Sequence, residues 1–214
     1  MSQKVLLMVV AIALTGCHDG YQRVKGRWAY GVWNEGVGLS AQTLEVDEAT
    51  FKRLRQKAYA KDKTSVFYEG DQIPNADPDS FEVLRDPQYA KDQSHAYFVG
   101  HIIEGAQPKS FTVIKAPFSR DATRIYCGTV PMAVTDLDQF KVLKVSGMRF
   151  GGRGFGWACD GTSIYYGSYV IEDADYESFK VIDEVKAVDK KRLYDGSEFW
   201  LRGEAWEGNG NRSN

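Results

Sequence analysis

Apolar side chains arrive along this chain in short bursts separated by turn-forming residues, and the bursts return at a fixed interval. Within Tyr59 to Leu84, the β-prone run Val66-Phe67-Tyr68 lies between Asp62-Lys63-Thr64-Ser65 and Gly70-Asp71, both of turn composition. Together with Tyr59-Ala60-Lys61 it predicts a small hairpin. Asp77 then stands as an N-cap with Pro78 at the first helical position, which predicts a single turn of helix. Phe81-Glu82-Val83-Leu84 alternates apolar and polar residues as a half-buried strand does. The alternation returns in Phe111-Thr112-Val113-Ile114, Phe140-Lys141-Val142-Leu143 and Phe179-Lys180-Val181-Ile182.

The interval can be numbered. An Asp is followed after five residues by an aromatic, after ten more by Asp or Gln, and after four more by Phe. The series runs Asp62, Phe67, Asp77, Phe81; Asp92, Tyr97, Gln107, Phe111; Asp121, Tyr126, Asp136, Phe140; and Asp160, Tyr165, Asp175, Phe179. A last half-unit gives Asp189 and Tyr194, and Asp47 with Phe51 precedes the series. A period of about 30 residues marks a repeat architecture. The predicted fold is all-β: tandem units of about three short antiparallel strands plus a helical turn, stacked as an open array. A closed propeller-like ring is the alternative, although such units are short beside propeller blades of about 40–45 residues. Repeats begin near residues 59, 89, 118, 157 and 187 of a β-domain spanning 28–202, residues 28–54 read as a diverged cap closed by Trp28 and Trp33, and the glycine-rich 203–214 reads as a frayed tail. The recurring Asp is explained by turn hydrogen bonds, since a side-chain carboxylate accepts from nearby amides. Recurrence in every copy argues for turns and caps over the single carboxylate pair of a glycosidase, with a calcium repeat as the minor alternative.

The first residues read differently. Lys4, the apolar run Val5 to Leu14 and then Leu14-Thr15-Gly16-Cys17 have the form of a secretory signal. The run is too short to span a bilayer, which takes roughly 20 apolar residues. Leu-Thr-Gly-Cys resembles the lipobox of bacterial lipoproteins, which implies cleavage after residue 16 and acylation of Cys17, with 17–27 as a lipidated tether. His18 in place of Asp points to outer-membrane sorting in a Gram-negative envelope, facing the periplasm. The expected partners are thus the membrane, through that lipid, and an unidentified protein.

Composition narrows the field further. A formal net charge of −2 lacks the basic excess of a nucleic-acid binder, so no nucleic-acid partner is expected. Five Trp, twelve Tyr and eleven Phe favour strands. Besides Cys17 there are Cys127 and Cys159, and an exported compartment makes a disulfide between them a candidate. Two buried thiols are the other reading. From Phe140 to Asp160 is 20 residues, where the other units take 10 or 11. The extra Gly-rich stretch contributes Arg149, Phe150, Arg153, Phe155 and Trp157 as a candidate contact loop using stacking and cation–π interactions, against the plainer reading of a glycine-kinked hairpin. No cofactor motif appears, His95 and His101 lack the companions of a metal site, and no Gly-x-Ser-x-Gly elbow is present.

The units resemble the DKNYY family, whose signature appears here as Asp62-Lys63-Thr64-Ser65-Val66-Phe67-Tyr68 and again as Asp92-Gln93-Ser94-His95-Ala96-Tyr97-Phe98. The resemblance covers about Tyr59 to Tyr194 and implies a repetitive, β-rich, exported scaffold without assigned catalytic residues. The expected function is a non-enzymatic, lipid-anchored protein-binding scaffold of the envelope, for instance an immunity or envelope-defence lipoprotein. A cell-wall glycan-binding module and a periplasmic hydrolase are the alternatives.

Overall fold

The computed structural model describes residues 20–36, 38–145 and 155–196. Six small antiparallel sheets follow one another along the chain, and none of them closes on itself. The first has β1 (Gly20–Val24), β2 (Arg27–Asn34) and β3 (Gly38–Thr43). The second has β4 (Lys52–Arg53), β5 (Tyr59–Lys61), β6 (Val66–Tyr68) and β7 (Asp71–Gln72). The third has β8 (Glu82–Val83), β9 (Tyr89–Lys91), β10 (Ala96–Phe98) and β11 (His101–Ile102). The fourth has β12 (Thr112–Lys115), β13 (Phe118–Arg120), β14 (Ile125–Cys127) and β15 (Val130–Pro131). The fifth has β16 (Lys141–Val145), β17 (Gly156–Cys159), β18 (Ile164–Tyr166) and β19 (Tyr169–Val170). The sixth has β20 (Lys180–Val181), β21 (Lys186–Val188) and β22 (Leu193–Asp195).

The hairpin expected from Tyr59 to Tyr68 forms, with Ala60 opposite Phe67. Sheets two to five nevertheless have four strands where three were expected. The strand after each recurrent Phe does not return to its own hairpin but pairs with the next one, as Glu82 with Lys91. The turn at Gly70 then adds β7 on the other side. Gly70 and Gly100 have positive φ, and a Cβ there would sit 2.6 Å from the Cβ of Tyr30 and 2.8 Å from that of Tyr68, so each turn backbone lies directly on a ring of the preceding sheet.

Successive residues of a strand face opposite sides of its sheet, and that period of two builds the core. Ala60 and Phe67 face back toward Tyr21, Leu44 and Phe51, whereas Tyr59 and Val66 face forward toward Phe81, Ala90 and Tyr97. The pattern continues forward: Tyr89, Ala96 and Phe98 meet Phe111 and Tyr126, then Phe118, Ile125 and Met132 meet Ala158 and Tyr165, and Trp157, Ile164 and Tyr166 meet Ala187 and Tyr194. Each of five apolar clusters is thus shared by two consecutive sheets. Burying one such aromatic contributes roughly 1.5–3 kcal/mol.

Three local expectations change. Residues 17–27 are not wholly tether, because β1 begins at Gly20 and Tyr21 is buried against Phe51. Trp28 packs on Phe51 as a closing ring, but Trp33 lies on the opposite face of β2 and stays 42% exposed. Among the described residues the only helical turn is a 3₁₀ turn at Tyr176–Ser178, which follows Asp175 and has no proline. There Asp175 accepts from both Ser178 N and Ser178 Oγ, as Asp47 does from Thr50 N and Oγ1.

Candidate functional site

The residues with the most concentrated polar geometry are the recurrent aspartates. Asp62, Asp92, Asp121, Asp160 and Asp189 are buried, at the hairpin turn of sheets two to six. In each, Oδ1 accepts the amides two and three residues ahead, for example Ser94 N at 2.7 Å and His95 N at 2.6 Å on Asp92. Oδ2 reaches away, to the backbone of the segment leading into that sheet. Asp62 takes Asp47 N, Asp92 takes Asp77 N, Asp121 takes Gln107 N, Asp160 takes Thr135 N and Asp189 takes Asp175 N, all at 2.7–3.0 Å. The tyrosine five residues on donates its hydroxyl to the same Oδ2: Tyr97 at 2.6 Å, Tyr126 at 2.8 Å, Tyr165 at 2.6 Å and Tyr194 at 2.6 Å.

Burial pushes these carboxyls up, yet amide and hydroxyl donors outweigh it and leave all five below the usual aspartate range. The tyrosines move the other way: burial first, then the neighbouring carboxylate, raise Tyr97, Tyr126, Tyr165 and Tyr194. A hydroxyl from the connecting segment closes the node, since Thr50, Ser80, Ser110 and Ser178 Oγ accept the amides of Lys63, Gln93, Ala122 and Lys190. The fifth sheet departs: Gln139 stands where that hydroxyl would be, with Gly161 against its Cβ, and Thr135 rather than Asp136 meets Asp160. Asp136 caps Asp138 N and Gln139 N instead.

The turn role of Oδ1 was legible in sequence; the reach of Oδ2 was not. Its signal was the separation of 14 or 15 residues between four of these Asp residues and the segment each binds, as in Asp47 to Asp62 and Gln107 to Asp121, whereas Asp160 reaches back 25 residues to Thr135. These carboxylates have donors on both oxygens and are deeply buried, so they fit a structural lock and not an acid–base pair.

The candidate contact loop divides. Arg149, Phe150 and Arg153 lie outside the described residues. Phe155 and Trp157 are not contact residues, for both are buried, Trp157 completely. Trp157 takes the second-strand position of Tyr59, Tyr89 and Phe118 and packs on Tyr166 and Phe179. Phe155 stacks on Tyr166 and lies against Gly167, at the turn where the earlier sheets set Tyr30, Tyr68 and Phe98 against Gly70, Gly100 and Gly128. The sequence offered Cys127 at the Tyr68 and Phe98 position of the fourth sheet, so a ring had to come from elsewhere.

The disulfide is also corrected: Cys127 and Cys159 are buried free thiols. Cys127 faces the cluster between the fourth and fifth sheets, whereas Cys159 faces the one between the fifth and sixth, because Ala158 before it takes the other side of β17. Burial raises the Cys127 thiol to about 12. His95 sits beside the Asp92 node, its Nδ1 3.4 Å from Tyr97 Oη, while His101 is exposed on β11. Among the described residues no three His, Cys, Asp or Glu side chains gather to hold a metal, and no helix is long and apolar enough to cross a membrane.

The sequence matches the DKNYY family over residues 13–101 and again over residues 89–203. The chain belongs to the DKNYY family. Its two matched spans overlap at residues 89–101, the hairpin of the third sheet and its Asp92 node. Asp62 and Asp92 open the two stretches compared with the signature above, and Tyr97 supplies the hydroxyl that Phe67 lacks. No curated protein and no solved structure matches the chain.

Proposed function

We propose that this member of the DKNYY family is a non-catalytic protein-binding scaffold of the bacterial envelope, tethered through acylated Cys17. Its units of about 30 residues are read as tandem repeats in an open stack. The observation that carries this is the use made of the recurrent polar groups. Every buried aspartate of the series has internal donors on both carboxylate oxygens, so the chain's most regular chemistry goes into joining one unit to the next. Arrays held by neighbour-to-neighbour interfaces offer extended surfaces to partners. A lipoprotein guarding the envelope against a toxin is one version of this reading. The ring of Trp33, exposed at the outer face of the first sheet, favours a cell-wall glycan as a second ligand class.

The test is in-cell crosslinking of the lipidated protein followed by affinity capture, beside a Cys17→Ala form. We expect acyl-label incorporation and a detergent-phase protein only with Cys17, and one specific crosslinked protein from the envelope. Label retained in the Cys17→Ala form would refute the anchor. Turnover of an envelope polymer, abolished by one carboxylate substitution, would refute the non-catalytic reading.

A further inference from the structure

The first strands of the sheets form an edge whose surface differs from the rest of the molecule. Leu54, Leu84, Ile114, Leu143 and Ile182 each stand three residues after the recurrent Phe, at equivalent points on that edge. The first two turn into the cores, Leu54 against the Tyr59 cluster and Leu84 against the Tyr89 cluster. The other three do not. Register shifts between Val113 and Lys115 and between Val142 and Lys144 drop Ile114 and Leu143 out of the ladder, leaving them 39% and 42% exposed, and Ile182 is 58% exposed. Three consecutive sheets therefore each present one bare aliphatic side chain at the same place.

Cations surround that row. Lys115, Lys141, Lys144 and Lys180 are exposed on the strands that carry it, with Asp183 exposed beside Ile182, and Lys52, Arg53 and Glu82 are exposed on the same edge of the earlier sheets. Among the described residues none of these lysines, nor Arg53, takes part in an ion pair. Acidic residues collect at the opposite edge, where Asp71, Glu104 and Glu172 lie on or beside the fourth strands. On the fourth to sixth sheets the exposed cations of this edge outnumber its exposed acids. Lysines alone on an edge strand are explained as a guard against strand pairing. That account gives no reason to expose an aliphatic residue beside the lysines of the fourth, fifth and sixth sheets.

We propose that this edge rests on a bilayer surface containing anionic lipid, with Ile114, Leu143 and Ile182 entering the headgroup layer and the flanking cations meeting lipid phosphates. Aliphatic side chains flanked by unpaired cations suit an interfacial site, since apolar burial and attraction to anionic headgroups add. A soluble polyanion would use the cations and leave the aliphatic row idle. A protein hot spot draws on aromatic anchors in packed pockets, which this row lacks. The inference does not depend on acylation of Cys17.

The test uses the full chain carrying Cys17→Ala, labelled under native conditions with an environment-sensitive fluorophore at Leu143→Cys. The control label is Val170→Cys, exposed on the opposite edge. Cys127 and Cys159 are buried and stay unlabelled. Vesicles of phosphatidylcholine containing phosphatidylglycerol should shift the label at 143 to the blue and leave that at 170 unchanged, and phosphatidylcholine alone should shift neither. Adding Lys141→Glu and Lys144→Glu should move the vesicle titration midpoint about tenfold or more. Thermal melting checks that each variant is folded, and Ile114→Cys replaces Leu143→Cys if that one is not. No shift at 143 or 114, an equal shift at 170, an unmoved midpoint, or binding to soluble polyglutamate in place of vesicles overturns the proposal.

Discussion

Asp62 shows what a single hydroxyl does in this fold. It binds its turn and Asp47 N as the other nodes do, but position 67 is Phe, so the donor that Tyr97, Tyr126, Tyr165 and Tyr194 supply is missing. Phe67→Tyr should add that bond and stabilise the protein by about 0.5–1.5 kcal/mol, read as a rise in thermal midpoint. A fall would mean that the Phe51 and Tyr21 side of the cluster leaves the hydroxyl no room. Asp121→Ala is the reverse experiment. It strands the amides of Gln107, Thr123 and Arg124 and leaves the Tyr126 hydroxyl only Gly105 O at 3.4 Å, and hydrogen bonds to a charged group contribute about 1.5–3 kcal/mol each. The loss should reach about 3 kcal/mol or more in chemical denaturation. A variant that melts like the parent would show that water satisfies the node.

At the scale of the element, the recurrent Phe joins the connecting segment to two sheets at once. Phe111 lies between Tyr89 of the third sheet and Tyr126 of the fourth, with ring centroids 5.9 and 6.5 Å away. Phe111→Ala leaves a cavity at that junction and should cost about 3–5 kcal/mol. The same substitution at Phe179, which is less buried, should cost less; equal losses would mean that the junctions are not ranked by burial. Element boundaries were only partly legible in sequence. The alternation of Phe81-Glu82-Val83-Leu84 identified a strand, but a two-residue strand carries no mark of its partner, and pairing with Tyr89–Lys91 rather than Tyr59–Lys61 follows from where the chain goes next.

Across the whole molecule the five nodes titrate in the same direction. Their carboxyls are depressed in the folded state against about 3.9 in the unfolded chain. The unfolded state then binds more protons, so this stabilisation is complete well above pH 4 and is lost as pH falls below it. Buried Tyr59, Tyr89, Tyr97, Tyr126 and Tyr165 are raised, chiefly by burial, above the unfolded value of about 10. Their contribution is complete below pH 10 and lost as pH rises beyond it. Stability measured against pH should therefore form a broad plateau with a steep acid limb below about pH 4 and an alkaline limb above about pH 10. An acid limb unchanged by Asp121→Asn would remove the nodes as its source.

Spacing alone determined that the chain is all-β, where its hairpins turn and which aspartates sit in those turns, because period-two alternation and turn chemistry act over a few residues. It also carried the family signature at Asp62 and Asp92. Only the tertiary structure decided which sheet each short strand joins and that Oδ2 ties each turn to an earlier segment. It also turned Phe155 and Trp157 inward, separated Cys127 from Cys159 and left Ile114, Leu143 and Ile182 outside. Those outcomes depend on which face of a sheet meets its neighbour. A one-residue bulge reverses that choice while leaving the sequence pattern nearly unchanged.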